Sequence, residues 1–106
     1  MAFHGKIAVV TGGASGIGLA MCRRLAELGA TVVVADINSE AGEAAAASLG
    51  AEFVLVDVVD VDAVHALVDE VAKRHGRIDY FFNNAGIAIV GSVRDTPVKD
   101  WYRVFD

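Results

Sequence analysis

Short runs of apolar residues recur along the chain and are separated by longer segments with helical spacing. The runs cover residues 7–10, 32–35, 53–56 and 78–82. Each run is continuous rather than alternating between apolar and polar residues, which is typical of strands buried on both faces of a parallel sheet. The pattern therefore predicts parallel strands that are joined by helices.

The segments after the first two runs carry helix signals. The apolar face of a predicted first helix consists of Ile17, Met21, Leu25 and Leu28. Gly29 lies where this helix would end. Asn38 or Ser39 can cap a second, alanine-rich helix that stops at Gly50.

Two further helices are predicted towards the end of the chain. In the third helix, Asp60 is the expected N-cap, Gly76 ends the helix, and the apolar positions are Val64, Leu67, Val68 and Val71. The last helix begins after Pro97, which is favoured at the first helical position. Its shared face consists of Val98, Trp101, Tyr102 and Phe105.

The order of elements is β-α-β-α-β-α-β-loop-α. Alternation of this kind predicts an α/β fold with right-handed crossovers and a doubly wound, mostly parallel sheet. At 106 residues the chain is the size of one domain. No internal repeat, linker or low-complexity segment interrupts it.

Composition narrows the class of protein. Apolar residues make up 55% of the chain and the net charge is −5, so neither disorder nor a basic nucleic-acid surface is expected. The single cysteine, Cys22, cannot form an internal disulfide and suits a reducing compartment. The chain has no apolar run of the length of a membrane span and no signal-peptide core at its start. We expect a cytoplasmic protein.

The stretch "VVTGGASGIG" at residues 9–18 joins the first predicted strand to the first helix. A helix N-terminus presents unpaired N–H groups and a partial positive charge, which favour a phosphate that can approach closely. Gly12 can make the tight turn, Gly16 can admit the phosphates, and Gly18 can let the helix pack on the strand. The stretch therefore predicts a site for a pyrophosphate.

The glycine spacing identifies a family. The general G-x-G-x-x-G fingerprint fails because Ala14 occupies its second glycine position, and a P-loop fails because Leu19 replaces the lysine. The spacing that does match is T-G-x-x-x-G-x-G, so the chain resembles the N-terminal part of a short-chain dehydrogenase/reductase. The resemblance implies a Rossmann-like sheet of strand order 3-2-1-4. It also implies a cofactor loop that includes Thr11 and binds through Gly12, Ser15, Gly16, Ile17 and Gly18.

Asp36 follows the second strand, in "VVVAD". A carboxylate there can accept both ribose hydroxyls of the adenosine half, with Ile37 beside it, and it repels a 2′-phosphate. No Lys or Arg occurs between Thr11 and Met21, or at positions 37 and 38, to neutralise an added phosphate. We therefore expect NAD rather than NADP as the cofactor.

Two more segments match the family in order and spacing. By resemblance, Asp57 ends the third strand beside the adenine, where Val58 contributes its backbone. The "NNAG" motif follows the fourth strand, and the resemblance implies that Asn84 braces the sheet while Ala85 and Gly86 leave room for the ribose. Each of these features alone is compatible with an ordinary loop.

The family's catalytic residues are not found in this chain. They are a Tyr-x-x-x-Lys pair, a serine and an asparagine, in which the lysine favours the phenolate of the tyrosine. Here the residue four places after Tyr80 is Asn84, and the residue four places after Tyr102 is Asp106. We therefore expect residues 1–106 to be the N-terminal dinucleotide-binding part of one Rossmann domain. The catalytic part would be absent, and strand four would be an unpaired apolar edge.

Other features predict no separate site. His4, His65 and His75 lack metal-ligand spacing and are expected at the surface, and no metal is predicted. The resemblance implies an oxidoreductase acting on an alcohol or ketone, and a homo-oligomer. Two alternatives remain open: a nucleotide-binding or interaction module without chemistry, and a methyltransferase. Spacing and "NNAG" argue against the methyltransferase.

Overall fold

A computed structural model of the chain describes residues 3–83 and 89–90. Strands and helices alternate along residues 3–83, as the apolar pattern predicts. The elements are β1 (Ile7–Thr11), α1 (Gly16–Glu27), β2 (Thr31–Asp36), α2 (Ser39–Leu49), β3 (Glu52–Leu55), α3 (Val61–His75), β4 (Tyr80–Asn83) and β5 (Ile89–Val90). The last predicted helix, at residues 96–106, lies outside the described residues.

The strands form one sheet in the order β3-β2-β1-β4-β5. Strands β1 to β4 are parallel, so the Rossmann-like α/β class and the 3-2-1-4 order are confirmed. The expectation that strand four is an unpaired edge is wrong. The short strand β5 pairs antiparallel with β4, joining Phe81 to Val90 and Phe82 to Ile89.

The sheet separates two layers of apolar side chains. On one face Val9, Val33 and Phe81 pack against α3, while on the other Val10 and Val34 pack among the residues of α1 and α2. All five side chains are fully buried. Because β1 is buried on both faces, its residues 7–10 form the continuous apolar run from which the strand is predicted.

Strand β4 begins two residues later than predicted, at Tyr80 instead of Ile78. The preceding Asp79 fixes this start. Its Oδ2 accepts a hydrogen bond from the amide of Ile7 at 2.8 Å, and its own amide donates to the Ile7 carbonyl at 2.9 Å. The same Oδ2 forms an ion pair with Nε of Arg77 at 2.9 Å. These bonds tie the start of β4 to the start of β1.

The predicted helix caps are confirmed. Oδ1 of Asn38 accepts from the amide of Ala41 at 3.0 Å to begin α2, and Oδ1 of Asp60 accepts from the amide of Ala63 at 3.2 Å to begin α3. Both helices end at a glycine in the left-handed conformation, as expected.

The predicted buried face of α1 is partly wrong. Ile17 is 73% exposed, whereas Gly18, Cys22 and Leu25 are buried. The buried face is rotated by one position because the side of α1 that carries Gly18 presses against the glycine loop. Glycine has no side chain, so the spacing of apolar residues does not reveal that Gly18 is on the buried face of α1.

The histidine prediction is correct only in part. His4 is exposed, but Nε2 of His75 lies 3.1 Å from Oε1 of Glu52 and its side chain is only 18% exposed. Arg74 also pairs with Glu52, at 3.1 Å. Arg74 and His75, at the end of α3, therefore lie next to Glu52 at the start of β3, at the edge of the sheet away from the glycine loop. Within residues 3–83 we find no helix long and apolar enough to cross a membrane.

Candidate functional site

The register of the sheet brings three strand ends to one level. Thr11 at the end of β1 is paired with Ala35 on one side and with Asn83 on the other. The glycine loop and Asp36 therefore leave the sheet at the same carboxyl edge, where parallel α/β sheets bind ligands. The order in which β1 neighbours both β2 and β4 makes this point a topological switch.

The glycine loop is compact because α1 approaches it very closely. A Cβ atom on Gly18 would lie 2.0 Å from the carbonyl oxygen of Gly12, so only glycine fits at the first turn of the helix. Gly16 has a φ of 58°, in the left-handed region, and no described atom outside its chain neighbours and its own helix backbone lies within 4 Å of where its Cβ would be. Gly16 is thus required by its backbone conformation, and Gly18 by the contact.

The N-terminus of α1 is open. Ser15 is the N-cap residue, but its side chain makes no capping hydrogen bond, unlike the caps Asn38 and Asp60. Ser15, Gly16 and Ile17 are all exposed. The first turn carries no acidic residue, so the positive end of the helix dipole is not neutralised by a side chain of that turn. A group with negative charge can approach these amides directly.

Asp36 lies against this loop. Its Oδ2 accepts from the amide of Ala14 at 3.1 Å, and its Oδ1 accepts from the amide of Asn38 at 3.0 Å. The side chain is half-buried. The carboxylate therefore sits between the glycine loop and the start of α2, where each oxygen retains a lone pair for a further donor.

Asp57, Val58 and Ile37 extend the same edge. Strand β3 ends at Leu55, two residues earlier than the predicted end at Asp57. The amide of Val56 donates to the Asp36 carbonyl at 3.0 Å, so the chain that leads to Asp57 still runs beside the end of β2. Oδ1 of Asp57 accepts from the amide of Val59 at 3.0 Å and the residue is exposed. Ile37 is 65% exposed and Val58 is 37% exposed, so each leaves apolar surface at this edge of the sheet.

A buried hydroxyl links β1 to the start of the "NNAG" motif. Oγ1 of Thr11 lies 3.3 Å from the carbonyl oxygen of Phe82 and 3.2 Å from Oδ1 of Asn83. Thr11 is only 1% exposed. The contact fixes the end of β4 relative to the glycine loop. The other predicted residues of the motif, Asn84, Ala85 and Gly86, lie outside the described residues.

Cys22 packs against the glycine loop, and its thiol is not expected to be reactive. A Cβ on Gly13 would come within 3.1 Å of its Sγ. Burial raises the pKa of the Cys22 thiol to about 11, so the side chain stays protonated at neutral pH. It serves as a small apolar residue between α1 and the sheet.

Two residues of this region are missed by the sequence reasoning. The Ala14 amide holds Asp36, and its only sequence signal is its position among the variable residues of T-G-x-x-x-G-x-G. Asp79 joins β4 to β1, and its signal is an acidic residue inside an otherwise apolar run. Both contacts join residues that are far apart in the chain, and spacing alone does not reveal such pairs.

Comparisons with known proteins agree with this arrangement. A family model described as short chain dehydrogenase matches residues 6–106. The chain is 45% identical to meso-2,3-butanediol dehydrogenase of Serratia marcescens, over 98% of this chain and 43% of the relative. It is 41% identical to D-threitol dehydrogenase of Mycolicibacterium smegmatis, over 92% of this chain and 39% of the relative.

Solved structures show the same likeness. A metagenomic short-chain oxidoreductase in complex with NADP superimposes with a TM-score of 0.77 at 37% identity, covering 82% of this chain and 42% of that one. Levodione reductase superimposes with a TM-score of 0.73 at 42% identity, covering 80% and 36%. The chain spans about two fifths of the length of the relatives it matches.

Proposed function

Since this chain belongs to the short-chain dehydrogenase family, we propose that the protein is an oxidoreductase that uses NAD to interconvert an alcohol and a ketone. NAD supplies the hydride acceptor when bound. The described residues bind and orient it. We assign the substrate only to the class of small alcohols or ketones, because relatives named as butanediol and threitol dehydrogenases share this segment.

The observation that carries the proposal is the open N-terminus of α1 beside the Asp36 carboxylate. The amides of the exposed residues Ser15, Gly16 and Ile17 suit a diphosphate, because helix amides and the helix dipole both favour negative charge. Asp36, at the end of the adjacent strand, suits the hydroxyls of the neighbouring ribose. The exposed apolar surfaces of Ile37 and Val58, at the same edge of the sheet, suit the apolar ring of an adenine.

Charge favours NAD over NADP. A 2′-phosphate would lie beside the Asp36 carboxylate, and residues 11–21, 37 and 38 include no Lys or Arg to compensate it. The solved NADP complex comes from a protein 37% identical to this chain, and its cofactor is a property of that protein. For this chain, the proposed preference for NAD over NADP is based on Asp36 and its neighbours, and binding measurements with both cofactors test it.

We propose that residues 1–106 are the dinucleotide-binding part of a single Rossmann domain. Neither Tyr80 nor Tyr102 has a lysine four residues later. The matched relatives have more than half of their length outside the aligned segment. We therefore assign the catalytic Ser, Tyr and Lys to that remaining part. We also propose that the whole protein is a homo-oligomer.

Binding measurements test the cofactor. Isothermal calorimetry of the whole protein with NAD, NADP and S-adenosylmethionine should give the tightest binding with NAD and none with S-adenosylmethionine. Asp36→Ala should weaken NAD binding by about 1.5–3 kcal/mol, because a charged acceptor is lost, and should narrow the preference for NAD over NADP.

A matched control removes a charge without removing the acceptor. Glu40 lies exposed in the first turn of α2, and Glu40→Ala changes the net charge by the same amount. We expect it to leave the NAD to NADP ratio unchanged. An Asp36→Ala variant with the wild-type ratio would contradict the role assigned to Asp36, and tighter binding of S-adenosylmethionine would favour the methyltransferase.

A further inference from the structure

We propose that Asp36 has a second role: its carboxylate holds the glycine loop in the shape that receives the diphosphate, before any cofactor binds. In this role Asp36 is a positioning residue that acts through the Ala14 amide. The inference rests on the proposed function, because it concerns how the same cofactor site is prepared.

The contacts of the carboxylate carry the proposal. Oδ2 accepts from the Ala14 amide at 3.1 Å across 22 residues of sequence, and Oδ1 accepts from the Asn38 amide at 3.0 Å. Asn38 in turn caps α2 by accepting from Ala41 at 3.0 Å. A single side chain therefore connects the glycine loop, the end of β2 and the start of α2.

The loop depends on this connection at Ala14. Gly13 is pressed onto the sheet, since its added Cβ would lie 3.0 Å from the Val10 carbonyl oxygen, and its amide reaches the Ala35 carbonyl at 3.4 Å. Ala14 is only 8% exposed. A buried amide without a partner is costly, so the carboxylate stabilises this conformation of the loop over others.

The arrangement also explains why a carboxylate suits this position better than an amide. Both oxygens face backbone N–H donors, and an ionised carboxylate accepts at both. An asparagine offers one oxygen and one NH₂ group, so one of the two backbone donors would face another donor. The carboxylate is therefore fixed in orientation and still has lone pairs for ribose hydroxyls, which reduces the ordering that binding requires.

The first test needs no cofactor. Amide hydrogen exchange at Ala14, resolved by mass spectrometry of the whole protein, should be about tenfold faster or more in Asp36→Ala, because the amide loses a charged acceptor. Asp36→Asn should give an intermediate rate, and Glu40→Ala should match the wild type. Circular dichroism checks that each variant is folded. An unchanged rate at Ala14 in folded Asp36→Ala would overturn the proposal.

The second test separates the loop from the ribose. The ligand is an NAD analogue that lacks both the 2′ and the 3′ hydroxyl on its adenosine ribose. If Asp36 acts on the ribose alone, Asp36→Ala and the wild type bind this analogue equally well. If Asp36 also prepares the loop, Asp36→Ala binds the analogue about fivefold more weakly or worse, and Asp36→Asn lies between the two.

The outcomes distinguish the two proposals. Equal affinity of wild type and Asp36→Ala for the analogue would overturn the positioning role while leaving NAD binding intact. A wild-type protein that binds no NAD would contradict the proposed function, and the exchange rate at Ala14 would still decide whether the carboxylate holds the loop. Faster exchange together with weaker analogue binding supports both.

Discussion

Gly18 and Gly16 are both part of the glycine loop region, but they are needed for different reasons. A methyl group at Gly18 would collide with backbone at 2.0 Å, whereas one at Gly16 would meet nothing within 4 Å. Gly18→Ala must move α1 away from the loop, so we expect a loss of more than about 2 kcal/mol in unfolding free energy. Gly16→Ala carries only the cost of a left-handed φ, about 1–2 kcal/mol.

Denaturant unfolding of both variants checks this ranking. Asparagine enters the left-handed region more readily than alanine, so Gly16→Asn should be more stable than Gly16→Ala. No such relief exists at Gly18, where Asn should be at least as damaging as Ala. Equal losses for the two alanine variants would show that the close approach of α1 is not what Gly18 provides.

Cys22 makes stability depend on pH in a predictable direction. Its pKa in the folded chain is about 11 because of burial, whereas an exposed thiol in the unfolded chain titrates near about 8.5. Above the lower value the unfolded state loses its proton and the folded state keeps it. The contribution is fully present below pH ~8.5 and is lost as the pH rises towards the folded value.

Urea unfolding across this alkaline range measures the effect. Cys22→Ala has no thiol to titrate, so its stability should fall less steeply with pH than that of the wild type. At neutral pH the native Cys22 should also resist alkylation by iodoacetamide until denaturant is added. Rapid labelling of the folded chain, or identical pH profiles for the two proteins, would be incompatible with a buried neutral thiol.

At the scale of elements, Gly42 allows α2 to pack closely against β3. A Cβ on Gly42 would lie 2.0 Å from Cε1 of Phe53, so the ring occupies the space of the missing side chain. Gly42→Ala should destabilise the protein by about 1–3 kcal/mol. This is the opposite of the gain of about 1 kcal/mol expected from helix propensity alone.

A double mutant identifies the ring as the cause. Phe53→Leu removes Cε1 and Cζ of the ring, which lie 2.0 and 2.7 Å from the added Cβ, so Gly42→Ala should cost less in the Phe53→Leu background than in the wild type. Ala47 is exposed on the same helix, and Ala47→Gly reports propensity without the contact. If the losses in unfolding free energy for Gly42→Ala and Phe53→Leu were additive, the contact between α2 and the Phe53 ring would not be the cause.

Elements defined by local chemistry are predictable from this sequence. Continuous apolar runs place β1, β2 and β3 within a residue of their observed ends, and Asn38 and Asp60 cap the helices predicted for them. The exposure of Ile17 is not predictable, because it depends on the close approach of Gly18, in the first turn of α1, to the backbone of Gly12 in the glycine loop. The late start of β4 has a similar cause, since Asp79 is held by the distant Ile7.

The candidate site divides in the same way. Its residue types and their order follow from the strand ends, and the family spacing locates the glycine loop and Asp36. The bond from Ala14 to Asp36 joins positions 22 residues apart, and only the packed sheet brings them together. The sequence therefore identifies the chemical groups of the site. The tertiary contacts determine which of its hydrogen-bond donors and acceptors are already paired within the protein and which can bind a ligand.

At the scale of the whole molecule, three partly exposed aromatic rings lie on the face of the sheet that α1 and α2 cover. Phe3 packs edge-on against Tyr80 with ring centroids 5.3 Å apart, and Tyr80 stacks on Phe82 at 6.1 Å. All three side chains are only half-buried. Each ring therefore leaves part of its surface exposed on this face of the sheet.

The proposed assignment of residues 1–106 to the dinucleotide-binding part of the protein predicts where activity is found. Residues 1–106, expressed alone, should give no NADH from any alcohol, because neither Tyr80 nor Tyr102 has a lysine four residues later to favour its phenolate. The whole protein should give NADH that is followed at 340 nm, and its Asp36→Ala variant should require more NAD. NADH formation by purified residues 1–106 would place the proton-transfer chemistry within this chain and contradict the assignment.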